Sequence, residues 1–213
     1  MLKIKVIVTD VGGVLVDFDA GRMDQELASL YRTSLEAVRN WKGEPVNGEL
    51  RWQGICRGVI SMDTVTAELA QRFGMQPPDD SFRSAWLAGF RGLRLATLRL
   101  INMTRHRNEL GLVSCTDVDP LYGSLLRGPG EILYSFFRAE VQSWLIGSLK
   151  PEPAMFRAAV AAAEVPISSC LFIDDVREHV EGARRFGLSA IHYSGDDREL
   201  AAALIRHGLV VNF

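Results

Sequence analysis

Asp10 stands where an apolar run, Val6-Ile7-Val8-Thr9, gives way to Val11 and then to two glycines, Gly12 and Gly13. Three more polar points have similar settings. Ser114 follows Leu110-Gly111-Leu112-Val113, Lys150 precedes Pro151, and the pair Asp174-Asp175 follows Cys170-Leu171-Phe172-Ile173. A carboxylate, a hydroxyl, an ammonium and an acidic pair suit attack on phosphorus. Asp10 can serve as nucleophile, forming an aspartyl-phosphate that water then hydrolyses. Carboxylate and phosphate repel each other, so this chemistry calls for a Mg²⁺ held by Asp10 and a second acid. Lys150 and the Ser114 hydroxyl can hold the non-bridging oxygens through the transition state. Gly12 and Gly13 let the main chain bend close to metal and phosphate.

Residues so far apart in sequence need a scaffold that gathers them. Lys3–Thr9 has the composition of a strand. Arg22–Trp41 spaces Met23, Leu27, Leu30, Leu35, Val38 and Trp41 helically, with a capped restart at Thr33, Ser34 and Glu36. Lys42–Gly58 suggests a structured loop. Ser61 caps a helix through Val65, Leu69 and Phe73 that Gly74 ends, and another helix follows Pro77-Pro78 through Trp86 and Phe90. Beyond this helical region come helix Ala96–Arg107, strand Leu110–Ser114, helix Pro153–Ala163, strand Cys170–Ile173, helix Val176–Phe186 and strand Leu188–Tyr193. Strands separated by helices imply a doubly wound parallel sheet with its site at the carboxyl edge. Asp119–Gly130 offers no clear element.

Composition narrows the class. The chain has 213 residues, 47% hydrophobic and 23% charged, with net charge −2, so it shows no basic footprint for nucleic acid or an anionic membrane. No apolar run is long enough to span a membrane, and Met1–Lys5 leads straight into a strand, leaving no room for a signal peptide. Cys56, Cys115 and Cys170 lack metal-ligand spacing and read as reduced thiols of a cytoplasmic protein. Trp41, Trp52 and Trp86 read as core of the helical region, and Arg51, Arg83, Arg91 and Arg94 as a solvated face. Asp17 and Asp19 read as turn and cap residues, and His179 as a surface helix residue.

The segments VIVTDVGGVLVD, GLVSCTD, GSLKPEPAMF and CLFIDDVREHVEGARRFG, in that order, resemble the haloacid dehalogenase (HAD) superfamily of phosphohydrolases. The resemblance implies a Rossmann-like core formed by residues 1–18 and 91–213. It also implies a small helical cap of the C1 type over 19–90, in which RWQGICRGVISMDTV matches the cap pattern. Residue by residue, it implies Asp10 as nucleophile and metal ligand, and the Gly12 carbonyl and Asp175 as further Mg²⁺ ligands. Asp174 orients them, Ser114 and the Cys115 backbone bind the phosphoryl group, and Lys150 pairs with Asp10 and phosphate.

Gly12 departs from the pattern, because most phosphatases of the superfamily carry there the Asp that protonates the leaving group. The nearest resemblance is to an Asp-x-Gly branch that includes bacterial α-D-glucose-1-phosphate phosphatases. The expected activity is Mg²⁺-dependent hydrolysis of a small phosphorylated metabolite, with sugar 1-phosphates as candidates, by a monomer or homodimer. Two alternatives stand beside it: a catalytically impaired protein that binds phosphometabolites or a partner, and a dehalogenase. Dehalogenases of the superfamily do not use the acidic pair, which argues for phosphate over halide. A receiver-type signalling domain shares the residue types, but it places its acid pair at the first strand.

Overall fold

A computed structural model describes residues 3–125 and 133–211. Strand β1 (Val6–Thr9) is buried along its whole length, as expected of uncharged residues that favour extended chain. The chain then runs through β2 (Val16–Phe18), α1 (Ala20–Leu30), α2 (Leu35–Gly43) and a hairpin of β3 (Pro45–Val46) and β4 (Glu49–Leu50). Next come α3 (Arg51–Cys56), α4 (Met62–Phe73), α5 (Asp79–Leu87), β5 (Phe90–Leu93), α6 (Leu95–Asn108) and β6 (Gly111–Thr116). The remainder is α7 (Pro120–Leu125), β7 (Ala139–Gln142), α8 (Ser143–Ile146), α9 (Pro153–Ala163), β8 (Cys170–Asp174), α10 (Arg177–Phe186), β9 (Ser189–His192) and α11 (Asp197–Arg206).

Five strands form one parallel sheet in the order β7-β6-β1-β8-β9. Alternation along the strands sorts their side chains into two layers. Val6, Val8, Val113 and Phe172 pack with Met155 and Phe156 of α9 and Val180 of α10. Ile7, Leu112, Leu171 and Ile173 pack on the other face with Ile101 of α6 and Leu204 of α11. The fold is the doubly wound α/β architecture that the alternation of strands and helices implies.

The segment between β2 and β5 contributes no strand to this sheet. Its own core includes Leu27, Val38, Trp41, Ile55, Leu69 and Trp86. Asp19 caps α1 by accepting from the Arg22 N–H, and Ser61 and Gly74 bound α4. β2 and β5 pair antiparallel, forming a two-stranded ribbon where the helical segment begins and ends.

Several sequence expectations need correction. Lys42–Gly58 is a hairpin followed by a helix, because Glu44, Glu49 and Glu68 hold Arg51 and Arg57 and order the segment. Arg51 is therefore not part of a solvated face; it is buried and donates to the Trp41 carbonyl. Trp41 and Trp86 lie in the helical core, but Trp52 is 40% exposed. The helix after Pro78 stops at Leu87, and Phe90 begins a strand. β7 has no sequence signature of its own, since its Ala-Glu-Val-Gln mixes polar and apolar residues. Asp119–Gly130 contains α7, and its residues from 126 onward lie outside the described residues.

Lys150 is held by a close approach between α10 and the turn that carries it. A Cβ on Gly182 would lie 2.4 Å from the Cβ of Pro151 and 3.3 Å from its carbonyl oxygen. Gly182→Ala is therefore expected to lower stability by about 1–3 kcal/mol through overpacking. Gly43→Ala, in a helix with open space around the new methyl, should cost nothing and gain up to about 1 kcal/mol. Urea denaturation of both variants checks the contrast; equal effects would mean that α10 yields easily.

Candidate active site

The strand order reverses beside β1, which leaves a crevice at the carboxyl ends of β6, β1 and β8. Thr9 is in register with Ser114 on one side and Ile173 on the other. Asp10 and Asp174 therefore emerge on neighbouring strands, and Ser114 lies one strand away. The Asp10 N–H donates to the Ile173 carbonyl at 2.8 Å, tying the ends of β1 and β8 together. After Asp10 the chain folds back, with the Leu15 and Val16 N–H groups both donating to the Val11 carbonyl.

Lys150 is the centre of the cluster. Its side chain has no solvent exposure, and its Nζ lies 2.9 Å from Asp10 Oδ2 and 2.7 Å from Asp174 Oδ2. Its backbone N–H donates to both carboxylate oxygens of Asp117, at 3.1 and 3.2 Å. The other Asp10 oxygen accepts the Val11 N–H at 2.7 Å. Asp174 Oδ1 accepts the Val176 N–H at 2.8 Å, and His179 Nδ1 stands 3.2 Å from it.

The electrostatics follow from burying several acids around one ammonium. Burial pushes Asp10 up to about 7, with Asp174 adding to the rise and Lys150 opposing it. Burial also works against charge on Asp174, but Lys150 and His179 outweigh it and hold that carboxyl below its usual range. For Lys150 burial opposes the ammonium, and Asp10, Asp174 and Asp117 together raise it well above the ordinary lysine value. Asp117 and Asp175 are both raised, chiefly by burial.

Asp175 has a different setting from Asp174. Gly13 adopts a φ of +75°, and a Cβ there would fall 2.1 Å from Asp175 Oδ2, so the missing side chain gives this carboxylate its room. The Asp175 carbonyl accepts from His192 Nε2 at 3.0 Å, while its carboxylate joins no salt bridge among the described residues. Ser114 Oγ is buried and has no hydrogen-bond partner among the described residues. Cys115 turns its thiol into the core, 4.0 Å from the Met155 carbonyl, so only its main chain is available for a ligand.

The structure thus gathers Asp10, Ser114, Lys150, Asp174 and Asp175 at one sheet edge, with Gly12 beside them. Sequence reasoning missed Asp117 and His179. Asp117 sits three residues past Ser114, and His179 faces back to Asp174 from the first turn of α10, 4.0 Å from Asp117. A polar residue in the first turn after a strand-end acidic pair is the signal that could have found His179. Asp10, Asp174 and His179 offer ligand atoms within 4.8 Å of one another. The Lys150 ammonium already bridges both carboxylates, so this trio is an ion-paired cluster and not a cation cage.

A HAD-hydrolase-like family model matches residues 149–212, which carry Lys150 and the acidic pair. A phosphatase of Mycobacterium tuberculosis, MT3486, is 27% identical, and the match covers 93% of this chain and 92% of that one. The chain resembles the HAD-like hydrolases over nearly its whole length. A D-ribitol-5-phosphate phosphatase of Bacteroides thetaiotaomicron is 25% identical, covering 86% of this chain and 89% of its own. A HAD family enzyme from the same organism, bt-2542, solved with magnesium and inorganic phosphate, superposes with a TM-score of 0.78 at 18% identity. That match covers 91% of this chain and 96% of the other and speaks for the fold. No helix among the described residues is long and apolar enough to cross a membrane.

Next to Lys150, Glu152 joins the sheet edge to the helical segment. Arg57 Nη1 lies 2.9 Å from Glu152 Oε2, Arg57 Nη2 pairs with its other oxygen, and Ser148 Oγ donates to Glu152 at 2.6 Å. The Arg57 guanidinium, more than the Ser148 hydroxyl, holds Glu152 down at about 2, below its usual 4.5. A folded-state value below the unfolded one stabilises the fold fully above pH 4.5, and that contribution is lost as pH falls through 2. Arg57→Gln should therefore cost stability at pH 7 and progressively less as pH falls below 4.5. Denaturation at several pH values checks this; a pH-independent difference would assign Arg57 a packing role only.

Proposed function

We propose that this chain is a Mg²⁺-dependent phosphomonoester hydrolase working through an aspartyl-phosphate at Asp10. The observation that carries the reading is the buried Asp10–Lys150–Asp174 cluster beside a buried Ser114 hydroxyl without a hydrogen-bond partner among the described residues. The curated relatives named as phosphatases support the same reading. In this scheme the Asp10 carboxylate attacks phosphorus and the ester oxygen leaves with the bonding electron pair. Water then attacks the acyl-phosphate, releasing phosphate and regenerating Asp10. Ser114 Oγ and the Cys115 main chain bind non-bridging oxygens. Lys150 Nζ keeps Asp10 oriented and offers positive charge to the transferring group.

The residues present fit a divalent cation. Four carboxylates, Asp10, Asp117, Asp174 and Asp175, surround one lysine, and Asp175, in the space left by Gly13, joins no salt bridge among the described residues. Asp10, Asp175 and the Gly12 carbonyl would hold the ion, with Asp174 kept on Lys150 and orienting the set. When bound, Mg²⁺ neutralises the repulsion between carboxylate and phosphate. The helical segment 19–90 would act as the cap that encloses the leaving group. With glycine at position 12, the motif offers no acid for the leaving oxygen. That favours esters whose oxygen carries charge well, sugar 1-phosphates and aryl phosphates among them.

Asp10→Asn keeps the shape but loses the charge and the nucleophile. It should abolish turnover of phenyl phosphate in Mg²⁺ while the protein stays folded by circular dichroism, and substantial residual turnover would refute Asp10 as the nucleophile. A second measurement concerns the cation. Asp174→Ala should weaken Mg²⁺ binding by roughly 10–100-fold, as loss of an orienting group does, and Asp175→Ala should weaken it more. Calorimetric titration giving the reverse order would exchange the roles of the two acids.

A further inference from the structure

A cavity of about 430 Å³ opens between the sheet edge and the helical segment. That volume falls within the roughly 300–1,000 Å³ of small-molecule sites. Gly12, Thr116 and Asp117 form its inner end, beside Asp10 and Ser114. Phe18, Met23, Ile55, Trp86, Phe90 and Tyr122 are among the aromatic and aliphatic side chains of the remaining wall. A Cβ on Gly12 would meet nothing within 4 Å, so the inner end is unobstructed at the position where an acid is missing.

Most polar groups on this wall already have partners. Tyr122 Oη donates to the Trp86 carbonyl at 2.7 Å and accepts from the Gly89 N–H at 3.1 Å. Trp86 Nε1 donates to Asp119 Oδ2 at 3.1 Å, and Asp119 Oδ1 accepts the Leu121 and Tyr122 N–H groups. Lys42 Nζ donates to Asp24 at 2.6 Å. Asp117 accepts the Lys150 N–H with both oxygens. Burial, helped by Asp119 and Asp117, pushes the Cys56 thiol up, so it stays a neutral, weakly polar group. The Thr116 hydroxyl belongs to the phosphate end, two residues past Ser114.

Lys42 keeps N–H groups that could serve one hydroxyl, but a polyhydroxylated body would bury most of its hydroxyls against occupied or apolar walls, where each unpaired polar group is a net loss. An aromatic body loses nothing there and gains ring contacts with Phe18, Trp86 and Tyr122. Resting on the phosphatase reading above, we propose that the preferred substrate is a phosphate monoester of an apolar aromatic alcohol whose ring system fills this cavity. The bond that breaks joins phosphorus to the aryl oxygen. The aryl oxide leaves with the electron pair and takes its proton from water, so no acid at position 12 is needed. Cavity and motif thus point to the same substrate class.

The experiment uses the wild-type protein with Mg²⁺ and four substrates: acetyl phosphate, phenyl phosphate, 2-naphthyl phosphate and glucose 1-phosphate. Tryptophan fluorescence, reporting on Trp52 and Trp86, gives the binding of 2-naphthylmethylphosphonate and of methylphosphonate. The proposal expects kcat/KM for 2-naphthyl phosphate at least about tenfold above both phenyl phosphate and glucose 1-phosphate, mainly through KM. It also expects the naphthyl phosphonate to bind at least about tenfold more tightly than methylphosphonate. Hydrolysis of acetyl phosphate with glucose 1-phosphate matching or exceeding the naphthyl ester would overturn the proposal and leave the phosphatase reading standing. No turnover of any of the four would defeat the phosphatase reading itself. The phosphonate pair would then decide the cavity: equal binding overturns the aromatic assignment, and a tenfold difference upholds it.

Discussion

A lysine ammonium without solvent contact persists at the centre of this fold because carboxylates surround it. Removing an ammonium from water is costly, and a single partner in the interior seldom repays that cost. Here Asp10 and Asp174 share the Lys150 charge at 2.9 and 2.7 Å, and Asp117 holds its backbone N–H. The cluster stays strained nonetheless. Four acids face one lysine, and Asp10 is driven up to about 7 mainly by its burial. Such an arrangement detracts from stability and is readily understood where an anion and a cation are to be bound.

The rest of the core is organised to keep this cluster in register. Parallel pairing of β1 with β6 and β8 sets Thr9 level with Ser114 and Ile173, so that Asp10 comes out beside Asp174 and one residue past Ser114. Gly182 lets α10 press on Pro151, which carries Lys150, and Gly13 leaves room for the Asp175 carboxylate. These are contacts between main chain and small residues, and they tolerate little change. The site is therefore rigid on its sheet side, as catalysis by positioned charge requires.

Its other side is built differently. The helical segment brings its own core and meets the sheet edge through the β2–β5 ribbon, the Arg57–Glu152 pair and the Ser143 hydroxyl on the Cys56 carbonyl. Between these attachments it presents aromatic and aliphatic side chains to the cavity. Charge is concentrated at one end of the cavity and apolar surface covers most of the rest. On the proposed reading, that division separates the chemistry from the choice of substrate.

The amino-acid sequence by itself determined the alternation of strands and helices, hence the doubly wound sheet. It also located the strand-end residues Asp10, Ser114 and Asp174-Asp175, and Ser61 and Gly74 as helix ends. Each of these is a local property, set by periodicity, capping or main-chain freedom within a few residues. Pairing across the fold is not local, and it fell to the tertiary structure. Only there did Asp174 fall to Lys150 while Asp175 stayed outside that pair, although the two are neighbours in sequence. His179 and Asp117 entered the site, and Arg51 went from an expected solvated face into the helical core, in part because Glu68 pairs with Arg51 from 17 positions away, the Lys150 N–H holds Asp117 from 33 away, and His179 reaches Asp117 from 62 away. β7 formed from an unremarkable segment because β6 offered it an edge. The lining of the cavity was illegible for the same reason, since its walls come from both the sheet edge and the helical segment and exist only once the two meet.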